Sequence, residues 1–294
     1  MSCWKNGGVI ALSGDDTRTF LQGLISNNSE KVTAENAIHA AFLTPQGKYL
    51  HDFFIAQAGE ELLLDCESAR LDDLLRRLSM YKLRAKVTLI DARPTYAVAA
   101  IIGDGASSAL GLGTDAGHAV AIAGGVAYID PRLAAAGGRA MLPRDTAVQR
   151  LEEAGLEAAK PGDYDALRLR LGLPDGSSDL IVDKAILLEN GFEELNGVDF
   201  EKGCFLGQEL TARTKHRALV RKRLLPVTIE GEAPPFGAPV MLGDKEAGEM
   251  RSSRGGDGLA LMRLEFLDKA ADDGTPFTVG NARLFPRKPD WAAF

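Results

Sequence analysis

A cysteine at position 204 lies in the stretch of sequence that overall composition explains least, Phe200 to Thr214. Cys204 follows Lys202 and Gly203, and the run after it, FLGQELTART, has a composition that allows a helix. A thiol near a helix N-terminus and beside a lysine is held more readily as a thiolate, the form that attacks electrophiles and binds metals. A buried structural cysteine is the alternative. The flanking glycines favour a presented thiol, because they permit close approach of the backbone to a ligand.

A carboxylate at position 52 is the second candidate for chemistry. Alternation along the predicted strand Tyr49 to Gln57 places Asp52 on the same face as Leu50 and Phe54. A carboxylate on an apolar face either meets a partner in a cavity or resists ionisation, and both are common at ligand sites. A strand end or sheet edge where Asp52 meets water is the alternative, and the pattern alone leaves it open.

Positive charge is concentrated around the same cysteine. The stretch from Lys202 to Arg223 holds seven lysines and arginines against one acid, Glu209, although the whole chain has a formal charge of -7. Like charges packed this closely repel one another unless an anion or acidic neighbours offset them. Acids elsewhere in the chain, a polyanionic ligand tail, a phosphate or an acidic partner protein could supply that offset, and the sequence leaves these alternatives open.

The composition excludes several classes of protein. The 294 residues are 45% hydrophobic and 26% charged, which is typical of a soluble globular protein of two or three domains. No apolar run reaches the roughly 18 residues that a membrane-spanning helix needs, and the acidic charge argues against nucleic-acid binding. Three separated cysteines and four histidines predict neither a disulfide framework nor a metal site. The first residues show no signal or transit peptide, so we expect a cytoplasmic protein. We also expect a monomer.

The elements that must position these residues follow from the spacing of hydrophobic side chains. A helix is predicted after Ser13, and three short strands follow, the first two joined by the turn Thr44 to Gly47. A second helix carries leucines at i, i+3, i+4 and i+7 from Leu71. From Thr95 the pattern repeats in looser form, and beyond Lys222 short β-rich runs predict a small antiparallel barrel or sandwich.

These patterns predict an α+β protein in three parts. The first α+β domain covers residues 1–92. The second covers residues 93–217 and contains the Lys-Gly-Cys segment. The C-terminal β-barrel covers residues 218–294.

The run KGCFLGQELTAR, from Lys202 to Arg213, resembles the signature of the YgfZ family of iron–sulfur cluster assembly and repair factors, which are relatives of the glycine-cleavage T-protein. The stretches LRLRLGLPDGSSDL and LLENGFEELNGVDF look most like the branch that includes the mitochondrial assembly factor for [4Fe–4S] proteins and its bacterial counterparts. The resemblance runs over most of the chain. It implies a T-protein-like fold, with two α+β domains around a central cavity that binds tetrahydrofolate, and a C-terminal antiparallel β-barrel.

The resemblance also implies roles for individual residues. Cys204 corresponds to the proposed functional cysteine of the family, and Asp52 matches the position of the catalytic aspartate of T-proteins. Asn27 and Glu189 match positions that line the central pocket. The residues expected to bind the tetrahydrofolate cofactor are Asn27, Asp52, Arg170, Glu189, Lys202, Gln208 and Arg213.

One position departs from the T-protein pattern. T-proteins carry an acid that contacts the pterin where this chain has Arg170, within the run Arg168 to Gly172. A guanidinium has donors only, so it cannot accept the N–H bonds of a pterin as a carboxylate does. This departure puts folate recognition of the T-protein kind in doubt.

Two functions of different classes therefore stand side by side. The resemblance implies an assembly or repair factor that uses a folate-type pocket and the Cys204 thiol, with iron–sulfur assembly proteins and [4Fe–4S] client enzymes as partners. The alternative is a tetrahydrofolate-dependent aminomethyltransferase or methyltransferase in which Asp52 orients or deprotonates the amine. A nucleic-acid binder is disfavoured by the overall acidity and by the lack of aromatic residues between Arg213 and Arg223.

Overall fold

The computed structural model describes residues 2–3, 7–122, 124–217, 220–273 and 275–294. The chain divides into two compact units. The first unit comprises Met1–Pro45, Leu50–Tyr164 and Leu195–Gln208. The second unit comprises Gln46–Tyr49, Asp165–Glu194 and Glu209–Phe294. The three domains predicted from the sequence stay a prediction, and residues 218–219, at the second predicted boundary, lie outside the described residues.

Two five-stranded sheets form the first unit. The strands are β1 (Ser2–Cys3), β2 (Gly7–Ser13), β3 (Ile38–Leu43), β4 (Tyr49–Ala58), β5 (Glu61–Glu67), β6 (Thr88–Asp91), β7 (Tyr96–Ile101), β8 (Ala119–Ile122), β9 (Gly125–Ile129) and β10 (Gly138–Pro143). One sheet has the order β3-β4-β5-β2-β6 and the other has the order β1-β7-β10-β9-β8. The helices α1 (Thr17–Gln22), α2 (Leu71–Lys82) and α3 (Ala147–Glu153) accompany them.

The sheets pack against each other through one buried cluster. Phe54 and Leu63 from the first sheet and Val98, Tyr128 and Met141 from the second are members of it. The other face of the second sheet is covered by α3. Of the leucines that α2 carries at helical spacing, Leu71, Leu74 and Leu78 are buried and Leu75 is half-buried. The repeated α+β pattern read from the sequence is thus confirmed.

The hairpin between β3 and β4 is the part of the first sheet that carries the predicted aspartate. Its turn contains Pro45 and Gly47, and Gly47 has a φ of +79°, a conformation that favours glycine. The chain therefore reverses tightly between the two strands.

The second unit contains a closed six-stranded barrel. Its strands, in the order β11-β14-β13-β12-β15-β16, are β11 (Lys222–Glu230), β12 (Pro239–Leu242), β13 (Lys245–Arg254), β14 (Asp257–Arg263), β15 (Phe277–Val279) and β16 (Ala282–Pro286). Among the described residues, the remaining α-helices are α4 (Asp163–Leu171), α5 (Gly176–Asp179), α6 (Gln208–His216) and α7 (Leu264–Asp273). The predicted barrel is confirmed.

One element of the barrel region differs from the prediction. One of the β-rich runs beyond Lys222 is GLALMRLEF, for which the sequence predicts a strand throughout. In the structure the strand β14 ends at Arg263 and α7 begins at Leu264. Phe266, Leu267 and Ala270 follow a helical spacing and pack on the barrel core, so the periodicity changes within that run.

Candidate functional site

The loop that carries the cysteine, residues 195–208, belongs to the first unit and is called the Cys204 loop here. Cys204 is exposed and forms no disulfide. Gly203, beside it, has a φ of +92°, a conformation that a side chain would strain. The backbone N–H of Leu206 donates a hydrogen bond of 3.0 Å to the carbonyl of Gly23, just after α1. The thiol therefore faces solvent from a loop that is bonded to its own unit.

Lys202 anchors the other side of the Cys204 loop. Its Nζ donates to the carbonyls of Ile25 at 2.6 Å and Asn27 at 2.7 Å, and its own carbonyl accepts a hydrogen bond from Gln22. Its ammonium also lies 5.3 Å from the centroid of the Phe205 ring. Burial lowers the pKa of Lys202 to about 8, although the nearby Asp199 opposes that shift. The ammonium and the carbonyl of Lys202 therefore bond to α1 and to the residues that follow it.

The helix expected to begin near Cys204 begins four residues later, at Gln208. The side-chain oxygen of Gln208 accepts a hydrogen bond of 3.1 Å from the backbone N–H of Phe205. Gln208, expected to contact a cofactor, therefore closes the turn between the cysteine and α6. The positive end of the helix dipole acts mainly within the first turn of a helix, so Cys204 lies outside the residues that it stabilises most.

Asp52 is paired with a histidine that sequence reasoning missed. The Nε2 of His39 on β3 lies 3.2 Å from Oδ2 of Asp52 on β4, and the two side chains are 1% and 12% exposed. The His39 ring lies 5.3 Å from that of Phe54, so the apolar surroundings expected for Asp52 are present. Counting equally outward from the Thr44–Gly47 turn reaches position 39 on one strand and position 52 on the other, a signal that could have identified the pair.

A cleft of about 280 Å³ is lined in part by His39, the partner of Asp52, and by Asn27, Asn36 and Asn196. Asn27 donates from its amide nitrogen to the carbonyls of His39 at 2.7 Å and Asn196 at 2.8 Å. Asn27 therefore lines this cleft and joins two of its lining residues. Its place in the predicted central pocket stays a prediction. A small polar molecule in the cleft would meet a lining that contains three asparagines.

Buried ion pairs support the strand that carries Asp52. Asp65 accepts a hydrogen bond from Arg139 at 2.7 Å, and Asp130 accepts one from Arg132 at 2.8 Å. Both guanidinium groups lie over the ring of Phe54, at 4.6 and 4.9 Å from its centroid. Because buried charges are held only in good geometry, these pairs fix Phe54 and the strand around Asp52.

Three predicted site residues belong to the second unit. Arg170 on α4 is exposed, whereas its neighbour Arg168 is buried and bonded to Asp179 at 2.7 Å. Glu189 is half-buried in a short 3₁₀ turn, and burial raises the pKa of its carboxyl although nearby lysines and arginines oppose that shift. Arg213 is exposed on α6. Their roles in cofactor binding stay predictions.

Acidic neighbours offset part of the charge between Lys202 and Arg223. Lys215 pairs with Glu193 at 2.5 Å, and Arg223 pairs with Glu194 at 2.8 Å. One of the alternatives left open by the sequence, acids from the chain itself, therefore accounts for two of these cations.

In the described part of the chain, no three histidine, cysteine, aspartate or glutamate side chains converge as they would around a metal ion. The second free cysteine, Cys66, is buried on β5, and the side chain of Cys3 lies outside the described residues. Across the same residues, none of the helices combines the length and the apolar character needed to span a membrane.

Comparison with known sequences shows which family the chain belongs to. The family model described as the CAF17 C-terminal beta-barrel domain matches residues 221–294. The mouse iron-sulfur cluster assembly factor IBA57, mitochondrial, is 33% identical over 289 residues, which cover 90% of this chain and 78% of the relative. The chain belongs to the IBA57 family. The human member of the family is 32% identical over 284 residues, with the same shares of both chains covered.

A fungal member is longer than this chain. The Neurospora crassa homologue is 35% identical over 240 residues, and the chain spans about half of its length, 54%. The predicted resemblance to the branch of the mitochondrial iron–sulfur cluster assembly factor, related to the T-protein, is confirmed. The YgfZ signature itself stays a prediction.

A solved structure shares the fold. The aminomethyltransferase T of the glycine cleavage system from Bartonella henselae matches 97% of this chain and 84% of its own, with a TM-score of 0.77 and 14% identity. The T-protein-like fold class with its C-terminal barrel is thereby confirmed. The predicted central cavity stays a prediction.

The cytoplasmic location expected from the sequence is wrong. The mouse, human and Neurospora relatives are all named mitochondrial, which points to mitochondria rather than to the cytoplasm. The expectation used only the composition of the first residues, and that composition does not decide the compartment.

Proposed function

We propose that this protein is an iron–sulfur cluster assembly factor that acts on [4Fe–4S] client proteins, and that Cys204 supplies one iron ligand during cluster transfer. The observation that carries the proposal is an exposed thiol on a loop held at both flanks, in a chain of the IBA57 family. A thiol held in this way can meet a second protein without reordering the loop. We propose that it works in mitochondria, as its relatives are named.

The chemistry requires a partner. Iron–sulfur clusters of the common kinds need four thiolate or equivalent ligands, and Cys204 supplies one. As the iron–sulfur bond forms, the thiol proton passes to solvent and one ligand of the donor protein leaves the iron. The remaining ligands come from iron–sulfur assembly proteins before the transfer and from the client protein after it. The protein itself takes part as a monomer in this proposal.

The test uses the purified chain with a purified assembly protein that carries a bound cluster. The two are mixed without oxygen, and size-exclusion chromatography with visible absorbance follows the cluster. We expect a mixed complex that contains the cluster with the natural chain and with Cys66→Ala, but not with Cys204→Ser. Formation of the same complex by Cys204→Ser contradicts the proposal.

A second candidate is a tetrahydrofolate-dependent aminomethyltransferase or methyltransferase. The observation that favours it is the nearly buried Asp52, paired with a histidine that lines a polar cleft, in a fold shared with an aminomethyltransferase. Arg170 argues against it, because this exposed cation replaces the acid expected to accept hydrogen bonds from the pterin. At that position the chain fits the cofactor poorly, so we derive no reaction step through it.

Calorimetry with tetrahydrofolate separates the two candidates. Saturable binding to the natural chain that is lost in Asp52→Ala supports a folate pocket and keeps the transferase candidate. Absence of binding removes it and leaves the thiol-dependent assembly factor. Lys160→Ala, at an exposed position away from the predicted site residues, is the control for nonspecific effects.

A further inference from the structure

Exposed apolar side chains cluster at the C-terminal end of α2. In the described part of the chain seven large hydrophobic side chains are exposed, and Met80, Tyr81 and Leu83 lie within four consecutive positions. Their exposed fractions are 55%, 38% and 88%. Single exposed apolar residues are ordinary, whereas a cluster of them marks an interaction site. Residues 76–86 are called the α2 tip below.

The backbone of the α2 tip holds a leucine where glycine is favoured. Leu83 follows the last residue of α2 with a φ of 42° and a ψ of -108°. A residue at positive φ just after a helix is usually glycine or asparagine, because other side chains are strained there. Since Leu83 is almost fully exposed, its side chain adds little to the core. The strained leucine is therefore better explained by binding to another molecule than by the stability of the fold.

The same segment is strongly basic. The α2 tip contains no acid, and its cations are Arg76, Arg77, Lys82, Arg84 and Lys86. Arg76 and Arg77 bond to Asp73 on the previous turn. Within the described residues, neither Lys82 nor Arg84 forms an ion pair, so their charge remains for another molecule.

Contacts on both sides hold the α2 tip in one conformation. The ring of Tyr81 lies edge-on to Phe42, with 6.0 Å between centroids. The backbone N–H of Lys86 donates to Oδ2 of Asp16 at 2.7 Å, and Val87 is buried. A surface that is ordered before binding loses little entropy when a partner arrives.

We propose that the α2 tip binds an acidic segment of a partner protein. An apolar side chain of that segment packs on Leu83 and Met80, while its carboxylates pair with Lys82 and Arg84, an arrangement that matches both the charge and the apolar surface. Three of the five cations are already paired, Arg76 and Arg77 with Asp73 and Lys86 with Asp15. The two that remain are fewer than the about four to eight that mark binding to an anionic membrane, which favours a protein. The interaction makes no use of Cys204, so it stands whether or not the thiol acts in cluster assembly.

The test measures binding of a fluorescein-labelled helical peptide of about 18 residues, with leucine on one face and glutamate elsewhere. Fluorescence anisotropy is recorded at low salt for the natural chain, for Leu83→Gly and for the double variant Lys82→Glu/Arg84→Glu. We expect each change to weaken binding at least about tenfold. Leu83→Gly relieves the backbone strain, so its melting temperature should equal or exceed that of the natural chain, and a loss of binding cannot come from unfolding.

Two matched control variants test whether weakened binding is specific to the α2 tip. Val148→Ala changes another exposed apolar side chain and Lys160→Glu another exposed cation, and both should bind as the natural chain does. The proposal is overturned if the natural chain does not bind the acidic peptide, or if Leu83→Gly binds it equally well. It is also overturned if a peptide with lysine in place of glutamate binds as tightly, or if vesicles of phosphatidylserine and phosphatidylcholine bind in preference to the peptide.

Discussion

The Cys204 loop and the hairpin that carries Asp52 hold their reactive groups in opposite ways, although both belong to the first unit. The thiol is exposed on a loop bonded to α1 and the residues that follow it, whereas the carboxylate is 12% exposed and paired with a buried histidine. An exposed group on a fixed loop can touch another macromolecule. A shielded group beside a cleft can touch only a small molecule that enters. Accessibility alone therefore separates a group that can act on a partner protein from one that can act only on a small molecule.

The largest expected contrast is in thiol reactivity. In the Cys3→Ser protein, iodoacetamide should modify Cys204 at least about 100-fold faster than Cys66, because Cys66 is buried and burial raises the pKa of its thiol. Mass spectrometry of peptides from briefly labelled native protein measures both rates. Equal rates in the native protein, with the same ratio after denaturation, would show that the loop does not present its thiol.

The second contrast is in stability. His39→Ala removes a buried ring and the partner of Asp52, so it should lower the free energy of unfolding by about 2–4 kcal/mol. Cys204→Ser changes an exposed side chain and should shift that free energy by less than about 0.5 kcal/mol. Urea unfolding measures both. If Cys204→Ser lowered the free energy of unfolding as much as His39→Ala does, Cys204 would be part of the core. The contrast between an exposed thiol and a shielded carboxylate would then be wrong.

A smaller effect is expected at the anchor of the Cys204 loop. Lys202→Met leaves the carbonyls of Ile25 and Asn27 without their donor, which should cost about 1–3 kcal/mol of unfolding free energy. Because the loop is then less fixed, cluster transfer should also slow although Cys204 is intact. Lys202→Arg, which restores donors, is the matched control.

Lys202 also predicts the direction in which the free energy of unfolding changes with pH. In the folded chain the pKa of Lys202 is lowered to about 8 from its ordinary 10.5, so between these values the unfolded chain binds more protons. Stability from this group is therefore smallest below pH 8 and increases as pH rises from about 8 towards 10.5. The difference in unfolding free energy between the natural chain and Lys202→Met should grow in that window, and a constant or shrinking difference would contradict the assignment.

The sequence predicted those features that a single strand or helix fixes by its own periodicity. Alternation in β4 gave the face on which Asp52 lies, and the spacing of leucines gave the buried side of α2. Both follow from periodicities that a single strand or helix imposes. The barrel strands were readable for the same reason, until the period changed at Leu264 within one apolar run.

The parts that the sequence did not predict depend on contacts between distant positions. Lys202 was expected to activate the thiol, yet its ammonium bonds to carbonyls some 175 positions earlier in the chain. The amide of Asn27 joins His39 to Asn196 across a comparable distance. Such contacts are fixed by tertiary packing and leave no local periodic signal. His39 is a different case. Its position opposite Asp52 can be counted from the turn, so the sequence does contain a local signal for that pair.

The most direct test of the central claim is the activity of [4Fe–4S] enzymes in cells depleted of this protein and supplied with the natural chain, Cys204→Ser or Cys66→Ala at equal abundance. We predict that the natural chain and Cys66→Ala restore activity and that Cys204→Ser does not, although it is folded. Full restoration by Cys204→Ser would contradict the claim that the exposed thiol is what the loop is built to present.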